Sequence, residues 1–376
     1  MTTTRAGYGL ALIGGALLVA GCDRPTASQG IAAPTPELER LTYLSQVYEI
    51  DRQYRSMAGP WSVDLINLGE NTLEMPPQLL WVVGFSAHMV GADGKRPESQ
   101  EYMCHSNVDF DREIPGLTRF EPRLFTLSQG QFAIRFPEGF GVPMSSHEKL
   151  KLMTQVLNLN DDKPPTAVRH KLDLYYIRQD ESVSAPPVKP LFHRELASLA
   201  MVEGESGHRD IEMPDIEMHG PGCIQAPDPF GRGQHDEEWL KDGHMLEDSL
   251  GQKFTAHWVV PPGRQVNHTL VTKRLGLPYD TTVHFIAVHA HPFAESLELH
   301  DRTADRTVFK SHMRQMKGRI GLEYVDFFSS EEGVPMYKDH EYELISIYDN
   351  TTDEDQDSMA VMYLYLLAHE PQQPSV

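Results

Sequence analysis

The chain has 376 residues, with 54 Asp or Glu against 33 Lys or Arg, for a formal net charge of −21. So negative a balance argues against nucleic acid as a partner and against electrostatic binding to anionic lipid heads. The length is ample for two domains with a sizeable core in each, and beyond the N-terminus no segment is apolar for long enough to span a bilayer.

In chain order, Arg5 precedes an apolar stretch, residues 8–20, that ends in Leu18-Val19-Ala20-Gly21-Cys22. A basic start, a short apolar stretch and small residues before a cysteine resemble a bacterial lipoprotein signal, residues 1–22, in which Cys22 is lipidated and becomes the mature N-terminus. An ordinary secretory signal with a cysteine at that place is the alternative. The implied location is the cell envelope: lipid-anchored, and facing the periplasm or the cell surface. Residues 23–45, with Pro25, Pro34 and Pro36, read as a flexible tether. A helical pattern over 38–55 overlaps its end, and a second covers 192–201.

Everything else reads as β. Short runs rich in Val, Ile, Tyr and Phe, bounded by Gly, Pro, Asn and Asp, predict strands at 61–66, 79–88, 131–136, 168–178, 257–260, 283–288 and 360–367. With no βα alternation, the expected fold is all-β: two antiparallel β-sandwich domains of jelly-roll type with a short N-terminal helix. The first spans 46–200 and closes on the Pro-rich "ESVSAPPVKP", and the second spans 253–370. Between them, residues 201–252 include "MHGPGCIQAPDPFGRGQHDEEW" and form an irregular insertion.

No G-x-S-x-G elbow, Walker loop, strand-linked G-x-G-x-x-G, C-x-x-C or H-E-x-x-H occurs. The chemistry-bearing stretch is "VHFIAVHAHPFAESLEL", residues 283–299. Successive strand side chains alternate between faces, so His289 and His291 share one face and His284 lies on the other. Two imidazoles on one face can hold one metal ion; histidines packed or hydrogen-bonded inside a sandwich are the plain alternative. With Cys22 lipidated, Cys104 and Cys223 remain, and in an oxidising compartment they most simply form one disulfide. Free thiols and metal ligation are the other options.

The order of "HWVVPPGRQVN", "DTTVHFIAVHAH" and "DSMAVMYLYLL" resembles the C-terminal domain of the type II, ascorbate-dependent copper monooxygenases, the family of peptidylglycine α-hydroxylating monooxygenase and dopamine β-monooxygenase. On the matching positions Pro261, Pro262, Gly263, His289, His291, Met359 and Tyr363, the resemblance implies a copper ion on His289, His291 and Met359, with Tyr363 beside the substrate. Two imidazoles and a thioether suit copper and favour Cu(I), whereas zinc more usually draws a carboxylate or thiolate. Met359 is preferred to Met362 because the two lie three apart on a strand and so face opposite ways.

The first domain departs from the family. Where adjacent histidines hold a second copper, Cys104-His105 stands here, and Leu157 or Asn158 stands where a third histidine belongs. One copper ion is therefore expected, and the normal second site lacks its ligands. Cys104 and His105 with His219 and Cys223 would make a Cys2His2-like second site; a Cys104–Cys223 disulfide beside His105 explains the same residues with less assumed. The family's substrate-carboxylate anchors correspond to Ala287, Val361 and Tyr363, which points to an uncharged or apolar small-molecule substrate. The implied partners are dioxygen and an external electron donor, ascorbate-like or protein, that delivers electrons singly unless a second site has been rebuilt. The membrane is met through the lipid anchor alone. A non-catalytic periplasmic copper-binding protein, acting as buffer, carrier or sensor, is the alternative function.

Overall fold

The computed structural model describes residues 37–54, 59–68, 76–111, 123–160, 165–179, 188–201, 245–247 and 253–369. Cys22, His219 and Cys223, and with them the signal, the lipidation site and any Cys104–Cys223 disulfide, lie outside the described residues. So does nearly all of the expected insertion at 201–252. The described residues belong to one compact unit, Pro36–Val376.

The first half contributes β1 (Leu38–Leu44), β2 (Tyr48–Ile50), β3 (Trp61–Asn67), β4 (Leu79–Gly91), β5 (Met103–Phe110), β6 (Arg123–Ser128), β7 (Ala133–Arg135), β8 (Phe140–Ser145), β9 (Lys149–Val156), β10 (Thr166–Arg178) and β11 (Lys189–Ala197). The second half begins with the short strands β12 (Ala200–Met201), β13 (Met245–Glu247), β14 (Lys253–Thr255) and β15 (Trp258–Val260). It continues with β16 (Gly263–Leu270), α1 (Thr272–Leu275), β17 (Thr281–Ala290), β18 (Ala294–Asp301), β19 (Arg306–Gln315), β20 (Leu322–Val325), β21 (Phe328–Met336), β22 (Tyr342–Asn350), β23 (Gln356–Ser358) and β24 (Ala360–Leu367). The molecule is all-β, as its runs of β-branched and aromatic residues between turn formers require.

One sheet runs through both halves in the order β1-β10-β4-β8-β11-β24-β17-β21, with β2 on β10 and β7 on β4. A four-stranded sheet, β3-β9-β5-β6, covers it in the first half, and a five-stranded sheet, β16-β22-β18-β19-β20, in the second. The join is β11, which pairs parallel with β8 and antiparallel with β24. Two cores result, and β17 and β24 belong to both. Phe285, Ala287, Val361, Tyr363 and Tyr365 enter the first core, while Ile286, Val288, Met362, Leu364 and Leu366 enter the second. This is the two-residue period of a strand buried on both faces.

Two expected helices are strands instead. In the first, the tether's expected end and the short N-terminal helix over 38–55 are replaced by β1 and β2, and β1 pairs residue by residue with β10 from Leu38↔Ile177 to Leu44↔Lys171. Apolar residues at Leu38, Leu41 and Leu44 mimic a helical period, but pairing along the available edge of β10 satisfies the backbone groups that face it and overrides that weak preference. Glu39 then meets Arg178 at 2.7 Å across the ladder. Residues 192–201 likewise go mostly into β11, whose Leu191–Ala197 pairs with Leu367–Val361 of β24. The 61–66, 79–88, 131–136, 168–178, 257–260, 283–288 and 360–367 strands all occur, with ends shifted by no more than three residues.

Candidate metal centre

At its C-terminal end β17 loses its neighbour on one side, because β21 pairs with it only as far as Ile286. The first half fills the vacated edge. Gln131 Oε1 accepts the Val288 N–H at 2.8 Å, and Ser128 Oγ lies 2.9 Å from His289 Nδ1. On the other side β24 continues, with Ala287↔Tyr363, His289↔Val361 and Ala290↔Ala360 in register. The His291 N–H donates to the Met359 carbonyl at 3.1 Å, so His291 and Met359 stand opposite each other. Opposed residues project from the same face with Cβ atoms roughly 5 Å apart. His289, His291 and Met359 therefore share one face, and all three are buried. Met362 points into the second core.

The rings of His289 and His291 have centroids 5.4 Å apart at 80°. A third imidazole, buried His257, lies 5.8 Å from His291 by ring centroids. Trp258↔Ser358 in the β15–β23 ladder carries His257 to the level of Met359, on the flank away from β17. His105 is buried in β5 and sits opposite Ser128, the residue that touches His289. His284 goes elsewhere: its ring stacks on Phe140 at 4.2 Å and its nitrogens meet Thr282 Oγ1 and the Ser330 carbonyl.

Burial holds the pKa of His289 well below the usual imidazole value, and the neighbouring His291 pushes the same way. His105 is also held well below it, by burial and then by the Arg123 guanidinium. Both are thus neutral near pH 7, the form that donates a lone pair to a metal. His289 Nδ1 is engaged by Ser128, which leaves Nε2 for an ion. Asp357 Oδ2 lies 3.3 Å from His291 Nδ1, a carboxylate placed to orient that imidazole. By donor chemistry the residues fit copper: neutral imidazoles and a thioether in a dry interior. Among the described residues no three His, Cys, Asp or Glu side chains converge closely enough to enclose an ion as they stand. His2Met contains only two donors of those types.

Tyr363 lies on the same face as His289, its hydroxyl 2.8 Å from Thr126 Oγ1 and raised in pKa by burial. It adjoins a buried polar network. Arg123 Nε donates to Asp109 Oδ1 at 2.8 Å, and Glu195 stands opposite Tyr363 with its pKa raised by burial against the pull of Arg274 and Arg123. These charges, His105 and His289 are buried polar groups on the first-core side of the β17–β24 ladder. Cys104 is buried on β5. A cleft of about 760 Å3 on the second half is walled by Arg264, Phe293, Lys310, His312 and Arg319 among others, and none of the four histidines lines it.

The sequence points to His105 only as the remnant of a lost site or as part of a separate Cys2His2-like site with Cys104, His219 and Cys223, and to His257 as no ligand at all. The signal available for His257 was its place directly before the "WVVPPG" segment, which carries no metal-binding spacing of its own.

No protein-family model matches the chain, and no curated protein matches it. Among solved structures it is similar to VP54 of PBCV-1 fitted into a cryo-EM reconstruction of the virophage Sputnik, at 8% identity and a TM-score of 0.27, covering 91% of this chain and 97% of that one. It is also similar to a putative membrane anchored protein from Corynebacterium diphtheriae, at 8% identity and a TM-score of 0.17, covering 88% and 93%. Similarity at that level carries no argument about fold or activity.

Proposed function

We propose that this is an exported, lipid-anchored copper-binding protein that acts as a monooxygenase on a C–H bond of an uncharged or apolar small molecule. The observation that carries the reading is the pairing of His291 with Met359 across the β17–β24 ladder, with His289 two residues away on the same buried face. Copper, when bound, supplies one-electron redox chemistry and a place for dioxygen. The chain's own residues supply the rest. Ser128 and Asp357 orient the imidazoles, and burial keeps His289 neutral and excludes water. Tyr363, hydrogen-bonded to Thr126, holds β24 against β6 beside the site. An external donor delivers the electrons one at a time.

The test is copper per chain in the protein lacking residues 1–22, loaded with Cu(I) and desalted. One copper is expected, lost in His289→Ala and held more weakly in Met359→Leu. No copper in the wild type overturns the reading. Burial of the whole centre, away from the 760 Å3 cleft, favours a second reading in which the protein stores or carries copper without turnover. Reductant-dependent oxygen uptake by the loaded protein decides for the enzyme, and rapid loss of copper to a chelator without uptake decides for the carrier.

A further inference from the structure

Four imidazoles, rather than two, lie near one another on the first-core side of the β17–β24 ladder, and they come from three separate ladders. His289 stands on β17 with His291 directly after its end, His257 directly before β15, and His105 on β5 of the four-stranded sheet. Metal–imidazole bonds of about 2.0–2.1 Å put two rings on one ion with centroids roughly 5–6 Å apart. The 5.4 Å between His289 and His291 and the 5.8 Å between His291 and His257 both fall in that interval.

His105 is tied in by a different route. It faces Ser128 across the β5–β6 ladder, so the two side chains leave the sheet on the same side. Ser128 Oγ in turn touches His289 Nδ1 at 2.9 Å. His105 is 2% exposed and its Nε2 has no hydrogen-bond partner. An orphaned nitrogen in so dry a place costs free energy unless something unrecorded satisfies it. His289 also lies within electrostatic reach of His291, His105 and His257.

We propose that His105 and His257 are ligands of the same metal centre as His289 and His291, so that a bound ion ties the four-stranded sheet of the first half to the β17–β24 ladder of the second. This rests on reading His289 and His291 as a metal pair, and goes beyond it in the number of ligands and in drawing them from both halves. As they stand no three of these side chains enclose an ion, so a bound metal would have to draw the four nitrogens together. An imidazole-rich set suits the borderline divalent ions Cu(II) and Zn(II), whereas Met359 favours Cu(I). The centre thus has a donor for each oxidation state of copper.

The experiment is pulsed electron paramagnetic resonance on the protein lacking residues 1–22 with one equivalent of Cu(II), counting coordinated imidazoles from their remote nitrogens. At least three are expected in the wild type, with one fewer in each of His105→Gln and His257→Gln. Two imidazoles in the wild type, unchanged in both variants but lost in His289→Ala, would overturn this inference and leave the proposed copper site standing. A count unaffected by His289→Ala would place the ion elsewhere and overturn both, as would a wild type that binds no copper. The wild-type count is decisive by itself if a variant fails to fold.

Discussion

Ser128 Oγ, 2.9 Å from His289 Nδ1, decides which imidazole nitrogen is left for a metal. Its removal frees the ring to turn, so Ser128→Ala should weaken copper binding by about 10- to 100-fold, the usual effect of losing such a supporting contact, while leaving the fold intact. Competition with a chromogenic copper chelator measures this, and unchanged affinity would mean that the contact orients nothing. Another buried histidine sets a pH dependence. His170, fully buried with Nδ1 2.8 Å from Ser106 Oγ, has its pKa pulled down to about 3 by burial. An unfolded chain takes up that proton at about pH 6.5. Stability should therefore fall as pH drops from about 6.5 toward 3, by about 1.4 kcal/mol per unit from this group. Glu195 works in the opposite sense, because its raised pKa makes its buried charge costlier as pH rises through the carboxylate range. Urea midpoints between pH 7 and 4 should fall more steeply for the wild type than for His170→Gln. Parallel curves would show that His170 does not carry the effect.

At the scale of elements, the 283–290 strand and its H-x-H face were legible because a two-residue period needs no partner to be read: His289 and His291 must share a side. The same arithmetic placed Met359 and Met362 in different cores. β1 and β11 were not legible, since their leucines also fit a helix and only the edges of β10 and β24 settle the matter. Nor were β5 and β6, in which Met103–Phe110 and Arg123–Ser128 are buried throughout although they carry Asp109, Arg123 and His105. A sequence rich in such residues reads as solvent-facing until the opposite charges are seen to meet at 2.8 Å. Removing one partner leaves the other buried and uncompensated, so Asp109→Ala should cost about 3–5 kcal/mol in urea denaturation. A loss below about 1 kcal/mol would mean that Arg123 finds another acceptor or reaches water.

On the scale of the molecule, β11 stitches two sandwiches into one sheet, and β17 and β24 lend a face to each core. Unfolding either core exposes the other face of the same strands. The described chain should therefore melt in one cooperative step, with calorimetric and van't Hoff enthalpies equal. Two resolved transitions would show that the halves fold independently.

Composition, turn residues and two-residue periods by themselves determined that the chain is all-β, that most of its long strands fall where they do, and that two histidines share a face. These are local properties of a strand, carried by the residues that compose it. Which segments become strands on a borrowed edge, which charges are buried, and which histidines stand beside His289 depended on partners brought in by other strands, and only the tertiary structure could bring those together. His105 and His257 have no motif between them; they are neighbours of the pair because β6, which pairs with β5, lies against the open end of β17 and β15 runs beside β23.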